Sequence, residues 1–186
     1  MKNIFQNLNI DKSWTLFLDR DGVINVRFPG DYVKRVEEFE FLPGAEKAIA
    51  EFSKIFGKII VVTNQQGIAR GVYSHEDLAA IHSHMKAEVK KVGGNIEAVY
   101  YAPQAAAENS PMRKPGIGMA LQAKKDFPEI DFSKSIMVGD TQSDMEFGKS
   151  AGMKTIFVGD EELNMDVDAK FSSLLELAHV VSDASI

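Results

Sequence analysis

Four pairs of residues carry the chemistry open to this sequence: Asp19 and Asp21, Thr63 and Asn64, Arg113 and Lys114, Asp140 and Asp144. Carboxylates that converge on one crevice repel one another, and a hard cation among them removes that cost. Magnesium suits the set, because it takes oxygen ligands, keeps waters and phosphate oxygens in its shell, and needs neither histidine nor cysteine. A phosphate bridging to that ion needs donors and countercharge, which the Thr63 hydroxyl, the backbone N–H groups that follow it and Lys114 can supply. The implied reaction is phosphoryl transfer. Asp19 suits in-line attack on phosphorus, giving an aspartyl-phosphate. Asp21, two residues further along a strand end, points the same way and suits the acid that protonates the leaving oxygen and the base that then activates water. Crowding by the other acids is expected to keep Asp21 protonated for the first step, while magnesium favours ionised Asp19. Gly22 lets the chain turn away sharply.

Each pair also has an ordinary reading. A lone D-x-D is usually a turn or a solvated pair, Thr63-Asn64 can cap a strand, and "RKP" is most often surface charge before a turn. "GDTQSD" can be a turn leading into a helix N-cap. Their order along the chain sets them apart, because each pair follows an apolar run of strand length. These runs are "WTLFLD" (14–19), "KIIVVTN" (58–64), "AVYYAP" (98–103), "SIMVGD" (135–140) and "KTIFVGD" (154–160). Their length and continuity predict parallel strands buried on both faces.

Between the runs lie helical periods. Ala45, Ala48, Ile49, Phe52 and Ile55 form one apolar stripe, and Leu78, Ile81, Met85, Val89 and Val92 another. Ser74 with Asp77 reads as a capping box, and Gly93-Gly94 as the stop. "GIGMALQAKKDF", "TQSDMEFGKSAG" and "FSSLLELAHVV" predict three more helices. The βαβα alternation implies a three-layer α/β/α, Rossmann-like parallel sheet, with ligands beyond the carboxyl ends of the strands. A single domain over 1–186 is expected, with residues 1–13 as an N-terminal extension.

Composition narrows the partners. A net charge of −6 disfavours a polyanion such as nucleic acid, and the absence of cysteine excludes disulfides, thiolate nucleophiles and Cys-based zinc sites. "MKNIFQNLNIDKSW" lacks the apolar centre of a signal peptide, and no run reaches the roughly 18 apolar residues of a membrane span. A cytoplasmic monomer acting on a small phosphorylated metabolite is the expectation, with no membrane partner. His75, His82, His84 and His179 are expected in surface or capping roles, and Trp14 and the phenylalanines in the core.

The motifs "FLDRDGVIN", "VVTNQQGIARG", "RKPGIGM" and "VGDTQSDM" resemble the haloacid dehalogenase superfamily over roughly residues 14 to 160. The resemblance implies Asp19 as nucleophile, Asp21 as acid/base, Thr63 as phosphate ligand and Lys114 as neutralising cation. It implies magnesium held by Asp19, by Asp21 through its backbone carbonyl and by Asp140, with Asp144 either a ligand through water or the group that orients Lys114. More narrowly, "DRDGVIN", "FLPG", "TNQQGIARG", "VYYAP" and "RKPGIGM" resemble the heptose 1,7-bisphosphate 7-phosphatases and their relatives, the histidinol-phosphate phosphatases. "GDYV" and "GIARG" look closer to the heptose branch. That branch has only short insertions over the site, which implies a small sugar phosphate as substrate. Gly30, Asp31, Tyr32, Asn64, Gln65, Arg70 and Arg113 become candidate substrate contacts, with Arg113 and Arg27 available to a second phosphate; histidinol phosphate would instead need an acid for its amine. Other readings are another small-metabolite phosphatase, a phospho-Asp receiver module, which lacks the acid two residues after the nucleophile, and a non-catalytic phosphosugar-binding protein.

Both branches usually carry a zinc loop, C-x-H and then C-x-C, directly before R-K-P. Here Ala102, Gln104, Ser110 and Met112 stand at the ligand positions. No zinc is expected, because these side chains cannot form a tetrahedral structural site. Pro103, Pro111 and Pro115 can instead limit the freedom of the unfolded loop.

Overall fold

The computed structural model describes residues 4–184. The expected domain and N-terminal extension reach residues 1–3 and 185–186, which lie outside the described residues.

Six parallel strands form one sheet: β1 (Thr15–Leu18), β2 (Lys58–Asn64), β3 (Ala98–Ala102), β4 (Ser135–Gly139), β5 (Lys154–Val158) and β6 (Ala169–Phe171), in the order β3-β2-β1-β4-β5-β6. Among the described residues five α-helices accompany them: α1 (Ala45–Ile55), α2 (His75–Lys91), α3 (Gly118–Asp126), α4 (Gln142–Ala151) and α5 (Leu174–Ala184). The central strands β1, β2, β4 and β5 are largely apolar because successive side chains feed two separate cores. Leu16, Leu18, Ile59, Val61, Ile136, Val138, Ile156 and Val158 meet α1, α2 and α5 on one face. Phe17, Ile60, Val62, Met137 and Phe157 meet α3 and α4 on the other. The chain changes face as it crosses from β3 to β4, so the strand order reverses between β1 and β4. That reversal leaves a crevice at the carboxyl ends of those two strands.

The helix boundaries follow local chemistry. The Ser74 side chain accepts from the Asp77 N–H and the Asp77 side chain accepts from the Ser74 N–H, so the capping box is formed. At the other end the Gly94 N–H bonds the Val89 carbonyl, with Gly93 in the left-handed region. The stop falls before Val92 can join the apolar stripe, and Val92 is 48% exposed, contrary to expectation. His82 also departs from its expected surface role: it is buried with Leu78, Ile81, Met85 and Val89 on one face of α2. His75 and His179 are exposed and His84 is half-buried.

β6 is not among the five expected strands, because two half-buried residues on either side of the exposed Lys170 make no apolar run and only their pairing with β5 defines a strand. The segment before β1 is tied down: Phe5 is 2% exposed and its ring lies 6.2 Å from that of Phe171. Trp14 is core, as expected. Among the described residues no helix is long and apolar enough to cross a membrane.

Two substitutions separate local from tertiary stabilisation. Ser74→Ala should cost about 1 kcal/mol through the lost cap, whereas Phe17→Ala, emptying a fully buried site, should cost about 3–5 kcal/mol. Urea unfolding of both variants checks the ranking.

Candidate active site

The crevice between β1 and β4 opens into a cavity of about 330 Å³, within the range of small-ligand sites. Every residue singled out above as a site candidate lines it. Asp19 follows β1, Thr63 and Asn64 end β2, Asp140 follows β4, and Asp144 sits in the first turn of α4. Arg113 and Lys114 arrive on the loop between β3 and α3.

Lys114 is the centre of the site. It is 3% exposed, and its Nζ donates to Asp19 Oδ1 at 2.8 Å and to the Val62 carbonyl at 2.8 Å, while pairing with Asp144 Oδ1 at 2.6 Å. Three acceptors match the three protons of an ammonium group. Burial alone would lower its pKa, but Asp144 and Asp19 raise it, so the lysine is held charged. This pairing sets Asp144 where it can orient Lys114, and its carboxylate also stands beside Asp19 and Asp140. Its other oxygen, Oδ2, accepts from the Thr141 N–H at 3.0 Å and the Thr141 hydroxyl at 2.6 Å, which caps α4 and fixes the carboxylate. Gly139 makes this possible, since a Cβ there would overlap the Asp144 side chain.

Asn64 acts on the same loop. Its Nδ2 donates to the Lys114 carbonyl at 3.1 Å and its Oδ1 accepts from the Lys114 N–H at 3.0 Å, clasping the loop to β2. Both ends of the amide are therefore engaged in placing Lys114. The loop has further ties: Arg113 Nη1 to the Gln104 carbonyl, the Ala105 N–H to Glu108 Oε1, and the Gly118 N–H to the Pro111 carbonyl. Of the four zinc-loop positions, Ala102 is buried, Met112 packs on the core, Ser110 Oγ accepts from the Met112 N–H, and Gln104 supplies its carbonyl to Arg113.

Asp19, Asp140 and Asp144 bring carboxylate oxygens within 4.8 Å of one another, the only such three-group cluster of acids and histidines among the described residues. Burial, then Asp144, push Asp19 upward, and the same two causes push Asp140 up to about 6 against the pull of Arg27 and Lys114. Asp140 Oδ1 is buried with no partner, and Oδ2 meets only Arg27 Nη1 at 3.3 Å. Under-neutralised oxygens of this kind fit a hard divalent cation. Gly22, at φ +90°, keeps the wall beside Asp140 open, because a Cβ there would overlap the Asp140 carboxylate.

Asp21 lies apart from this cluster, and its expected crowding by acids does not occur. Arg20 Nη2 donates to both Asp21 oxygens at 2.9 and 3.0 Å, Asn25 Nδ2 to Oδ1 at 3.0 Å and Gln65 Nε2 to Oδ2 at 2.8 Å. Burial pushes Asp21 up, but the Arg20 charge and these hydrogen bonds outweigh it and hold the carboxyl below the usual range. Gln65 Nε2 also donates to Thr63 Oγ1 at 2.9 Å, so the Thr63 hydroxyl accepts from Gln65 and keeps its own proton for the cavity. Arg20, Asn25 and Tyr73, which bonds Gln65 Oε1, were not foreseen. Arg20 and Asn25 stand inside "DRDGVIN", but nothing in that string says which way they turn.

Above the cluster, residues 26–40 leave and rejoin the site through the Val26 N–H to the Glu40 carbonyl and the Leu42 N–H to the Ile24 carbonyl. This short insertion carries Arg27, Gly30, Asp31 and Tyr32. The Asp31 carboxylate is paired with Lys34 at 2.6 Å. Tyr32, Arg70 and Arg113 line the same cavity, and burial and then the like charge of Arg70 push the pKa of the Arg113 guanidinium downward. Two cations lining one cavity make an anion-attracting wall.

The family model described as polynucleotide kinase 3 phosphatase matches residues 18–181. A D-glycero-α-D-manno-heptose-1,7-bisphosphate 7-phosphatase of Mycobacterium bovis is 36% identical over 176 residues, covering 92% of this chain and 93% of that protein. A protein of the same description from Campylobacter jejuni is 36% identical over 176 residues, covering 94% and 99%. The crystal structure of D,D-heptose 1,7-bisphosphate phosphatase from B. bronchiseptica, complexed with magnesium and phosphate, superposes with a TM-score of 0.82 at 27% identity, covering 89% and 96%.

The acid cluster generates a pH-linked prediction. A carboxyl raised in the folded state binds its proton more tightly than in the unfolded chain, so its contribution weakens as pH rises from near 3.8 through its folded value, about 6 for Asp140. A cation that binds the ionised cluster reverses this loss. The gain in Tm on adding magnesium to metal-stripped protein should therefore grow between about pH 4 and pH 7, and Asp140→Asn should flatten that growth; thermal melts across pH test it.

Proposed function

The chain belongs to the haloacid dehalogenase superfamily of phosphatases, and we propose that it removes the 7-phosphate of D-glycero-D-manno-heptose 1,7-bisphosphate through an aspartyl-phosphate on Asp19. The observation that carries this reading is the Asp19 carboxylate at a strand end, fixed by Lys114 and set beside Asp140 and Asp144. The substrate follows the relatives, which match along more than nine-tenths of the chain at 36% identity.

The chain's residues divide the work. Asp19 attacks phosphorus in line as the bond from phosphorus to the sugar oxygen breaks, and Asp21, having first taken a proton from solvent, passes it to that oxygen. Water then attacks the aspartyl-phosphate, Asp21 takes its proton, and Asp19 is released. The resting ionised state of Asp21, set by Arg20, favours the second half of this cycle. Thr63 and the N–H groups after β2 donate to the phosphate oxygens, and Lys114 keeps Asp19 oriented and offsets developing charge. Asp19, Asp140 and the backbone carbonyl of Asp21 would hold magnesium, which when bound neutralises the charge gathered on the phosphate. Arg113, Arg70 and Tyr32 form the wall suited to the second phosphate, with Arg27 at the mouth. The net charge of −6 favours a small metabolite over nucleic acid as the partner.

With magnesium, the protein should release phosphate from heptose 1,7-bisphosphate well ahead of fructose bisphosphate and histidinol phosphate. Asp19→Asn should reduce turnover by at least ~10³-fold while its thermal melt stays cooperative; retained turnover would sink the covalent mechanism.

We propose also that the loop between β3 and α3 works without zinc, held by the Asn64 clasp and the Arg113, Glu108 and Pro111 bonds. A zinc-selective chelator that spares magnesium should leave activity and Tm unchanged. Stoichiometric, tightly held zinc in the purified protein would contradict the proposal.

A further inference from the structure

We propose that His82 is a positioning residue for Asp21, acting through the buried guanidinium of Arg20; this rests on the phosphatase reading above. Arg20 is 1% exposed, and its two terminal nitrogens face two different partners. Nη2 holds both oxygens of Asp21, while Nη1 lies 3.1 Å from His82 Nε2. Arg20 Nε has no partner. The guanidinium can only donate, so Nε2 must offer its lone pair and the ring proton belongs on Nδ1. Burial, and then the Arg20 charge, push the His82 pKa down to about 3, which keeps the ring a neutral acceptor.

His82 is the one polar side chain among the buried residues of α2, alongside Leu78, Ile81, Met85 and Val89. A residue that only filled this face would be apolar like its neighbours. A buried guanidinium needs acceptors that fix its plane, and here Asp21 fixes one end and His82 the other. The Tyr101 ring, 6.0 Å from the imidazole, packs beside it. With Nε2 removed, Arg20 keeps its bond to Asp21 but loses the anchor that sets where the pair stands relative to Asp19. Asp21 would then meet the leaving oxygen in the wrong place.

The two ring nitrogens supply the test, since glutamine can place an oxygen near the Nε2 position and asparagine only near the Nδ1 position. Full-length, magnesium-loaded His82→Gln and His82→Asn proteins are compared on heptose 1,7-bisphosphate and on p-nitrophenyl phosphate. The sugar oxygen must be protonated as it leaves, whereas p-nitrophenolate departs without a proton, and kcat/KM reports the steps up to that departure. His82→Asn should lose about 10–100-fold in kcat/KM on the sugar substrate, through kcat and not KM, and less than about threefold on the aryl ester. His82→Gln should stay within about fivefold of wild type on both. Equal losses on the two esters, no loss in His82→Asn, or a His82→Gln protein as impaired as His82→Asn would overturn the proposal. Wild-type protein that turns over neither ester would overturn the phosphatase reading itself, and this one with it.

Discussion

The site hangs on one buried ammonium group. Taking Lys114 out of water costs several kcal/mol unless acceptors replace its hydration, and Asp19, Asp144 and the Val62 carbonyl do so together. Each partner comes from a different part of the fold: the end of β1, the first turn of α4, and β2. The lysine therefore works only if the sheet register, the cap of α4 and the loop after β3 are all in place. The absence of a side chain at Gly139 and the two-way Asn64 clasp are local consequences of that demand.

Two aspartates separated by one residue are given opposite electrostatic settings. Asp19 is pushed upward, first by burial and then by Asp144, against the pull of Lys114. Asp21 faces Arg20, Asn25 and Gln65 and is pushed downward. The strand end delivers both into one cavity, and the chain then turns through Gly22 so that their surroundings differ. Two carboxylates with separate environments can be tuned separately, as the proposed nucleophile and acid/base roles require and a shared carboxylate cluster would not permit.

The loop that brings Arg113 and Lys114 shows how short-range bonds can stand where a metal clip could. Loop closure costs entropy whatever closes it. Here closure is divided among the Asn64 amide, the Glu108 carboxylate and backbone bonds at Gln104 and Pro111, with Met112 packed on the core beneath.

Much of this was legible in the amino-acid sequence. Five apolar runs marked five of the six strands, because a strand buried on both faces must be apolar at every position. The Ser74–Asp77 cap and the glycine stop of α2 were legible for a similar reason: both act within a few residues. The placing of Asp19, Thr63 and Asp140 at strand ends, with Asp144 just beyond in the following helix, followed from those runs. What stayed hidden depended on contacts between residues far apart in the chain. β6 exists only through its pairing with β5. The burial of His82 depends on Arg20, 62 residues away, and the lowering of Asp21 on a guanidinium whose direction the string "DRDG" does not state. Local periodicity and composition decided which elements form and which residue types reach the crevice. Only the tertiary structure decided which charge faces which, because electrostatic shifts follow distance in space and burial, and neither is written in the spacing of residues along the chain.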